Sequence, residues 1–223
     1  MKPKLCKSVL MILYQRLRDA YGPQHWWPAD TAFEVMVGAV LTQNTAWTNV
    51  EKAIINLRRA GKLELPAMLR MTETRLARLI RPSGYFNVKA RRLKHLCRWL
   101  DQHGDIRQLG VWPTLELRDA LLTVHGIGPE TADDILLYAF DRPVFVIDTY
   151  TRRLLKVFGL IRGDEHYEAI RAPIEAALDP DPALYNEYHA LIVRHAKECC
   201  QGDADCLHCR VESPLDLKVI VES

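Results

Sequence analysis

One stretch of the sequence carries residue types that could bind an anion. His125-Gly126-Ile127-Gly128 follows an apolar helical run and directly precedes Pro129. Two glycines two positions apart permit a tight turn, and proline suits the first position of a helix. The turn therefore predicts exposed backbone N–H groups at a helix N-terminus, which can bind a phosphate without reading sequence. An ordinary turn between two helices fits the same residues.

A second stretch contains a residue that could catalyse cleavage of a bond. Asp148 lies eighteen residues after Glu130 and directly before the helical run TYTRRLLKVFG. An aspartate in this position is most often a helix cap, because its side chain accepts hydrogen bonds from the first backbone N–H groups. It could also be a catalytic carboxylate. Both interpretations stay open on these residues alone.

The C-terminal tail could bind a metal. Four of the six cysteines crowd into it, namely Cys199, Cys200, Cys206 and Cys209. A cytosolic chain rarely forms disulfides from such a group, so metal binding is the first alternative. Thiolates suit an iron–sulfur cluster or zinc.

The rest of the chain must position these groups, and its composition is that of a globular protein. Of its 223 residues, 48% are hydrophobic and 26% charged, and the formal net charge of +2 does not by itself indicate a nucleic-acid partner. Basic clusters at 89–98 and 152–156 either bind DNA or form solvated helix faces. No apolar run approaches the ~20 residues of a membrane-spanning helix. Arg16 and Arg18 stand where a secretion signal would have small residues, so we expect a cytoplasmic protein without a membrane partner.

Helical periodicity dominates the chain and predicts an all-α fold of about ten short helices. Thr31 and Glu34 have the spacing of a capping box that opens a helix. Val144 to Ile147 is the only strand-like run and is too short to build a sheet. Apolar residues at helical spacing predict one further helix within 5–17 and another around 50–57, and a third begins near residue 72. More helices are predicted over 87–103 and around 114–122, 129–140, 149–158, 166–178 and 182–200.

Several of these motifs, taken in order, resemble the endonuclease III superfamily of helix-hairpin-helix DNA glycosylases. The hairpin, the pair Thr131-Ala132 and the run ending in Asp148 resemble the hairpin, Gly/Pro-rich loop and aspartate of that family. GAVLTQNTAWTNVEKAI resembles the segment that carries a glutamine, here Gln43, which fills the gap left by a flipped base. SGYFNVKARRL and YHALIVRHAKECC resemble two further family motifs. The resemblance covers most of the chain.

This resemblance implies a fold, a partner and site residues. It implies two helical domains flanking a DNA cleft: a six-helix domain with the hairpin over 32–141, and a domain of N- and C-terminal helices over 1–31 and 142–223. The partner would be double-stranded DNA with a damaged base, bound by a monomer. Asp148 would be catalytic, and the DNA-binding residues would be Gln43, Lys89, Gly126, Ile127, Gly128 and Thr131.

The sequence departs from the bifunctional members of the family at Glu130. Those members carry a lysine there, whose amine attacks the sugar, and a carboxylate cannot form that Schiff base. No lysine lies between Lys94 and Lys156 to replace it. The resemblance therefore implies the monofunctional branch, in which water is the nucleophile. Glu130 either contacts the flipped base or water, or stabilises the helix N-terminus.

Within that branch the chain resembles 3-methyladenine glycosylases. The similarity lies in His25-Trp26-Trp27-Pro28, in TQNT followed by Trp47, and in the hairpin. It implies that Trp26, Trp27 and Trp47 line a pocket for an alkylated purine, whose positive charge an indole face attracts. Packing in the core is the alternative for each, and Trp26 and Trp27 cannot both face one base.

Members of the family with a [4Fe–4S] cluster show C-x6-C-x2-C-x5-C. Cys199, Cys206 and Cys209 match the first three positions, but Leu215 occupies the fourth. Cys200 is an alternative first ligand and Cys6 a remote fourth one. The tail therefore predicts a labile [4Fe–4S] cluster, a zinc site or a loop without metal. For the whole chain, a bifunctional glycosylase/lyase and a non-catalytic DNA-binding module remain alternative functions.

Overall fold

The computed structural model describes residues 5–26, 29–199 and 211. These residues form twelve α-helices and one 3-10 helix without any strand, so the predicted all-α fold is confirmed. The helices are α1 (Lys7–Tyr21), α2 (Ala32–Thr42), α3 (Trp47–Arg59), α4 (Leu65–Arg70), α5 (Glu73–Leu79), the 3-10 helix (Arg81–Ser83), α6 (Phe86–His103), α7 (Ile106–Leu109), α8 (Thr114–Leu122), α9 (Pro129–Phe140), α10 (Thr149–Val157), α11 (Tyr167–Ala177) and α12 (Pro182–Glu198).

The chain divides into two compact units, residues 27–142 and residues 1–26 with 143–223. In the first unit α2 is the central helix, with residues 33–41 all buried, and it lies against α9. Such burial fits its sequence AFEVMVGAVLT, which is apolar apart from Glu34 and the terminal threonine. Helix α6 covers α4 and α5 with an apolar stripe that includes Leu93, Leu96 and Leu100.

The second unit is built on α12. This helix packs against α1 and α10, and the hydroxyl of Tyr188 donates a 2.8 Å hydrogen bond to the carbonyl of Leu10 in α1. Four of the five predicted periodic positions, Val9, Leu10, Leu13 and Leu17, are buried in α1, whereas Leu5 precedes the helix and is partly exposed. Among the described helices, none combines the length and apolar character needed to cross a bilayer.

Two details depart from the sequence interpretation and one agrees with it. Two short helices, α4 and α7, were not predicted because six- and four-residue segments show too little periodicity. Thr31 caps α2 by accepting the N–H of Glu34, but the carboxylate of Glu34 accepts hydrogen bonds from Arg58. As predicted, the strand-like run Val144–Ile147 builds no sheet; it is a buried segment without regular secondary structure that leads into α10.

Candidate active site

Asp148 is the N-cap of α10. Its Oδ1 accepts the backbone N–H of Thr151 at 2.7 Å, so the interpretation as a helix cap holds. The buried segment at 144–147 delivers the residue to this position, and 14% of its side chain is exposed. One carboxylate oxygen is therefore fixed by the helix, while the side chain keeps a path to solvent.

His189 of α12 faces the other carboxylate oxygen. Its Nε2 lies 3.4 Å from Oδ2 of Asp148, and its side chain is buried. The ring of Trp26 stacks on the imidazole, with centroids 5.8 Å apart and planes 19° apart. Sequence reasoning missed His189, although it lies in YHALIVRHAKECC. Its signal is a polar residue on the buried face of an apolar helix, which says little without its tertiary neighbour.

The surroundings of Asp148 keep its carboxyl group ionised. Burial raises the pKa of Asp148, but the nearby imidazole of His189 and the hydrogen bonds from His189 and Thr151 lower it more. The net result is a pKa below the usual value for aspartate. At neutral pH the group can therefore stabilise positive charge or accept a proton, and it is a poor acid.

In the other unit, the hairpin joins α8 to α9 through residues 123–128. Gly126 has a φ of +93°, and a Cβ there would lie 2.3 Å from Cγ of Arg92, so this position needs glycine on two grounds. Gly128 is the N-cap of α9, with no side-chain cap, and its added Cβ would meet nothing within 4 Å. Gly128 and Pro129 are exposed, so the positive end of α9 is open to an anion.

Gln43 connects this turn to the end of α2. Its Nε2 donates to the carbonyl of Gly126 at 3.0 Å and to Oγ1 of Thr131 at 2.9 Å. The guanidinium of Arg92 donates to its Oε1. Three predicted site residues, Gln43, Gly126 and Thr131, therefore meet in one hydrogen-bonded cluster, and Arg92 is a fourth member that the sequence did not single out.

The remaining predicted residues of the hairpin and α6 differ in exposure. Ile127 is buried, which anchors the turn in the core, and Glu130 is exposed on the first turn of α9. Lys89 is 1% exposed, and its ammonium donates to the carbonyls of Leu41 and Ser83. Burial and the charge of Arg92 lower the pKa of Lys89 to about 8. This placement favours a structural role for Lys89, as a cap on the end of α2, over a contact with phosphate.

The tryptophans predicted to line the base pocket do not all belong to the same unit. Trp26 belongs to the unit that holds Asp148, Trp47 belongs to the 27–142 unit, and Trp27 lies outside the described residues. Trp47 lines a cavity of about 270 Å³ between α2 and α3, together with the side chains of Glu34 and Glu51. Glu34 is paired with Arg58 at 2.6 Å. The cavity therefore combines an indole, two carboxylates and one guanidinium.

Cys199 is the only one of the four tail cysteines among the described residues; Cys200, Cys206 and Cys209 lie outside them. It ends α12, and its Sγ lies 3.3 Å from the hydroxyl of Tyr21. That hydroxyl is also 2.9 Å from Nδ1 of the buried His195. Within the described residues, no three His, Cys, Asp or Glu side chains are grouped for a metal.

Comparisons with known proteins identify the family and the fold of the chain. Residues 37–180 match the HhH-GPD superfamily of base excision DNA repair proteins. A protein from Methanocaldococcus jannaschii that carries the name of a DNA repair glycosylase is 45% identical over 203 residues, 90% of this chain and 92% of that protein.

Solved structures with the same fold include a 3-methyladenine DNA glycosylase of H. pylori bound to 1,N6-ethenoadenine. It is 29% identical, has a TM-score of 0.74 and is matched over 88% of this chain and 98% of its own. A non-covalent endonuclease III–DNA complex has a TM-score of 0.76 at 20% identity, over 97% of this chain and 99% of that one. The second likeness concerns the fold alone.

Proposed function

The chain belongs to the HhH-GPD superfamily of base excision DNA repair proteins, and from this premise we propose that it is a monofunctional DNA N-glycosylase. Its substrate is double-stranded DNA with a flipped, alkylated purine, and water is the nucleophile. The observation that carries this proposal is an ionised Asp148 in a chain that has a carboxylate, Glu130, and no amine on the first turn of the hairpin helix.

Asp148 supplies the chemistry in this proposal. Cleavage of the N-glycosidic bond leaves positive charge on the sugar, and a fixed carboxylate stabilises that charge, as carboxylates do in glycosidases. The electron pair of the broken bond leaves with the base. Water then bonds to the sugar C1′, and its proton passes to Asp148 or to solvent. The low pKa of Asp148 suits stabilisation of charge better than donation of a proton.

Glu130 supports hydrolysis over lyase chemistry. A lyase forms a Schiff base between an amine and C1′, and a carboxylate cannot do so. Glu130 is exposed on the first turn of α9, at the position where the resemblance implies a lysine in bifunctional members of the family. In this proposal it contacts water or the base, and its charge also stabilises the helix N-terminus.

The cavity beside Trp47 supports a cationic base as substrate. Purines alkylated at N3 or N7 are positively charged, and an indole face attracts a cation by about 0.5–2 kcal/mol. The two carboxylates of Glu34 and Glu51 outnumber the single guanidinium of Arg58. The H. pylori structure, named as a 3-methyladenine DNA glycosylase bound to 1,N6-ethenoadenine, supports a modified adenine as the substrate.

The hairpin and Gln43 hold the DNA in this proposal. The open N-terminus of α9 binds a backbone phosphate through N–H groups at Gly128 and beyond, and this contact is independent of sequence. Gln43 fills the gap in the helix that the flipped base leaves.

The tail cysteines would hold a [4Fe–4S] cluster through Cys206, Cys209 and either Cys199 or Cys200. Such a cluster would tie the end of the chain together and takes no part in excision. With Leu215 at the fourth position we expect weak retention. Iron and sulfide assays on protein purified without oxygen measure this, and a stoichiometric, oxygen-stable chromophore near 400 nm would contradict it.

The test uses a duplex with one alkylated purine. We expect free base to appear while the strand stays intact until alkali is added, and borohydride to trap no covalent complex. Strand cleavage with a trapped complex would instead support the bifunctional lyase. The similarity to relatives named endonuclease III favours this alternative. Binding without base release would support a non-catalytic DNA-binding module.

A further inference from the structure

We propose that His189 is a positioning residue for base excision, which holds one oxygen of Asp148 so that the carboxylate keeps a single orientation. This inference rests on the proposed catalytic role of Asp148. The residues concerned, Trp26, Asp148 and His189, all belong to the same unit.

The two oxygens of Asp148 are held from two different helices. The N–H of Thr151 in α10 binds Oδ1 at 2.7 Å, and Nε2 of His189 in α12 lies 3.4 Å from Oδ2. The first contact restricts rotation about the Cβ–Cγ bond through one oxygen only. The second contact lies on the other oxygen and narrows the remaining range of orientations.

The imidazole is itself held rigidly. His189 is buried in the middle of α12, and the ring of Trp26 covers its face at a centroid distance of 5.8 Å. A site residue that is fixed by packing and stacking can orient its partner within a fraction of an ångström, which catalysis requires.

Its burial indicates that His189 acts through Asp148 and does not touch DNA. Only 5% of the side chain is exposed, against 14% for Asp148. At 3.4 Å the contact is longer than a normal hydrogen bond, as is common for catalytic pairs before substrate binds, and we expect it to shorten as positive charge develops on the sugar.

The test compares two substitutions at this position. His189→Phe keeps a flat ring under Trp26 but removes the donor, whereas His189→Gln places an amide N–H near the same point. We expect His189→Phe to slow single-turnover excision by about 100-fold, the cost of a misplaced catalytic group, with abasic-DNA affinity within threefold of wild type. We expect His189→Gln to recover the rate to within about tenfold of wild type.

Controls separate positioning from packing. Tyr188→Phe also removes a buried polar contact of α12, at its bond to Leu10, and should lower stability without a change in the excision rate. If His189→Phe does not fold, His189→Asn replaces it, since the shorter amide cannot reach Oδ2.

The outcomes also separate this inference from the proposed function. Asp148→Asn is measured in the same assay. If Asp148→Asn abolishes excision while the variant without the donor stays within threefold of wild type, the role of His189 is overturned and the glycosylase proposal stands. If Asp148→Asn retains activity within tenfold, the catalytic assignment fails and the role of His189 fails with it.

Discussion

The hairpin and the Asp148 site use different chemical groups: the first uses mainly the backbone, and the second uses side chains. At the hairpin, the exposed Gly128 and Pro129 leave the N-terminus of α9 open, and Gln43 and Arg92 are hydrogen-bonded to each other beside the turn. At Asp148, the groups are side chains: a carboxylate, an imidazole and an indole, each oriented by the next. A backbone site binds any phosphate, whereas a side-chain site can tune a pKa. The difference suggests that DNA binding and bond cleavage can be disabled separately.

The largest effect is expected from Asp148→Asn. The amide keeps the shape and much of the helix cap but loses the charge that stabilises the transition state, so excision should fall by about 100- to 1,000-fold. Affinity for abasic duplex should stay within threefold. Asp181→Asn, which alters another N-cap aspartate in the same unit, is the control. Activity within tenfold of wild type would remove Asp148 from the chemistry.

Arg118→Met should destabilise the 27–142 unit, which contains the hairpin, without changing the rate of bond cleavage. Arg118 of α8 and Asp133 of α9 form a buried pair, with Nε–Oδ1 at 2.6 Å and Nη2–Oδ2 at 3.1 Å. Removing one partner leaves a buried charge and should lower the free energy of unfolding by about 3–5 kcal/mol.

Urea denaturation measures this change, with the exposed Arg162→Met as control, for which we expect less than about 0.5 kcal/mol. Excision at saturating DNA should stay within threefold for the folded protein. A selective loss of catalytic rate would contradict the separation of the two regions.

Substitution of the two hairpin glycines by alanine should affect different properties: stability at Gly126 and DNA affinity at Gly128. At Gly126, positive φ and the crowding by Arg92 predict a loss of stability of about 1–3 kcal/mol. Gly128 has a φ of −97° and free space around it, so the unbound protein should keep its stability.

The new methyl group of Gly128→Ala stands where a phosphate would approach, and we expect abasic-DNA affinity to fall about tenfold, equal to about 1.4 kcal/mol. Equal affinity of Gly128→Ala and wild type would place the phosphate elsewhere.

The smallest effect is expected from Glu130→Lys, which gives the hairpin a chemical group of its own. An amine on the first turn of α9, at the positive helix end that lowers its pKa, should form a minor Schiff base with abasic DNA. Borohydride trapping and gel electrophoresis measure it. Glu116→Lys, on the first turn of α8, should trap nothing. If Glu130→Lys binds abasic DNA and also traps nothing, residue 130 does not lie near the sugar.

Helix ends and the buried face of a helix could be predicted from the sequence, because they depend on residues close together in the chain. Caps and stops at Thr72, Gly104 and Pro129 marked helices that the structure contains, and Asp148 was recognised both as a cap and as a candidate catalyst. The apolar spacing of α1 predicted its buried face. These features depend on residues within about four positions of one another, which the sequence displays directly.

Contacts over long sequence separations were not predictable in this way. His189 meets Asp148 across forty-one positions, and Gln43 meets Thr131 across eighty-eight. Lys89 was expected to bind DNA, yet two carbonyl groups at the ends of helices accept hydrogen bonds from its buried ammonium. Such pairings follow from the fold as a whole and not from the spacing of residue types.

The most direct test of the proposed function is free-base analysis of DNA that has been methylated at random. Wild-type protein should release purines alkylated at N3 or N7, Asp148→Asn should release none above background, and abasic sites should remain as unbroken strands before alkali. Release of oxidised pyrimidines alone from DNA oxidised in parallel, accompanied by strand breaks, would contradict the account.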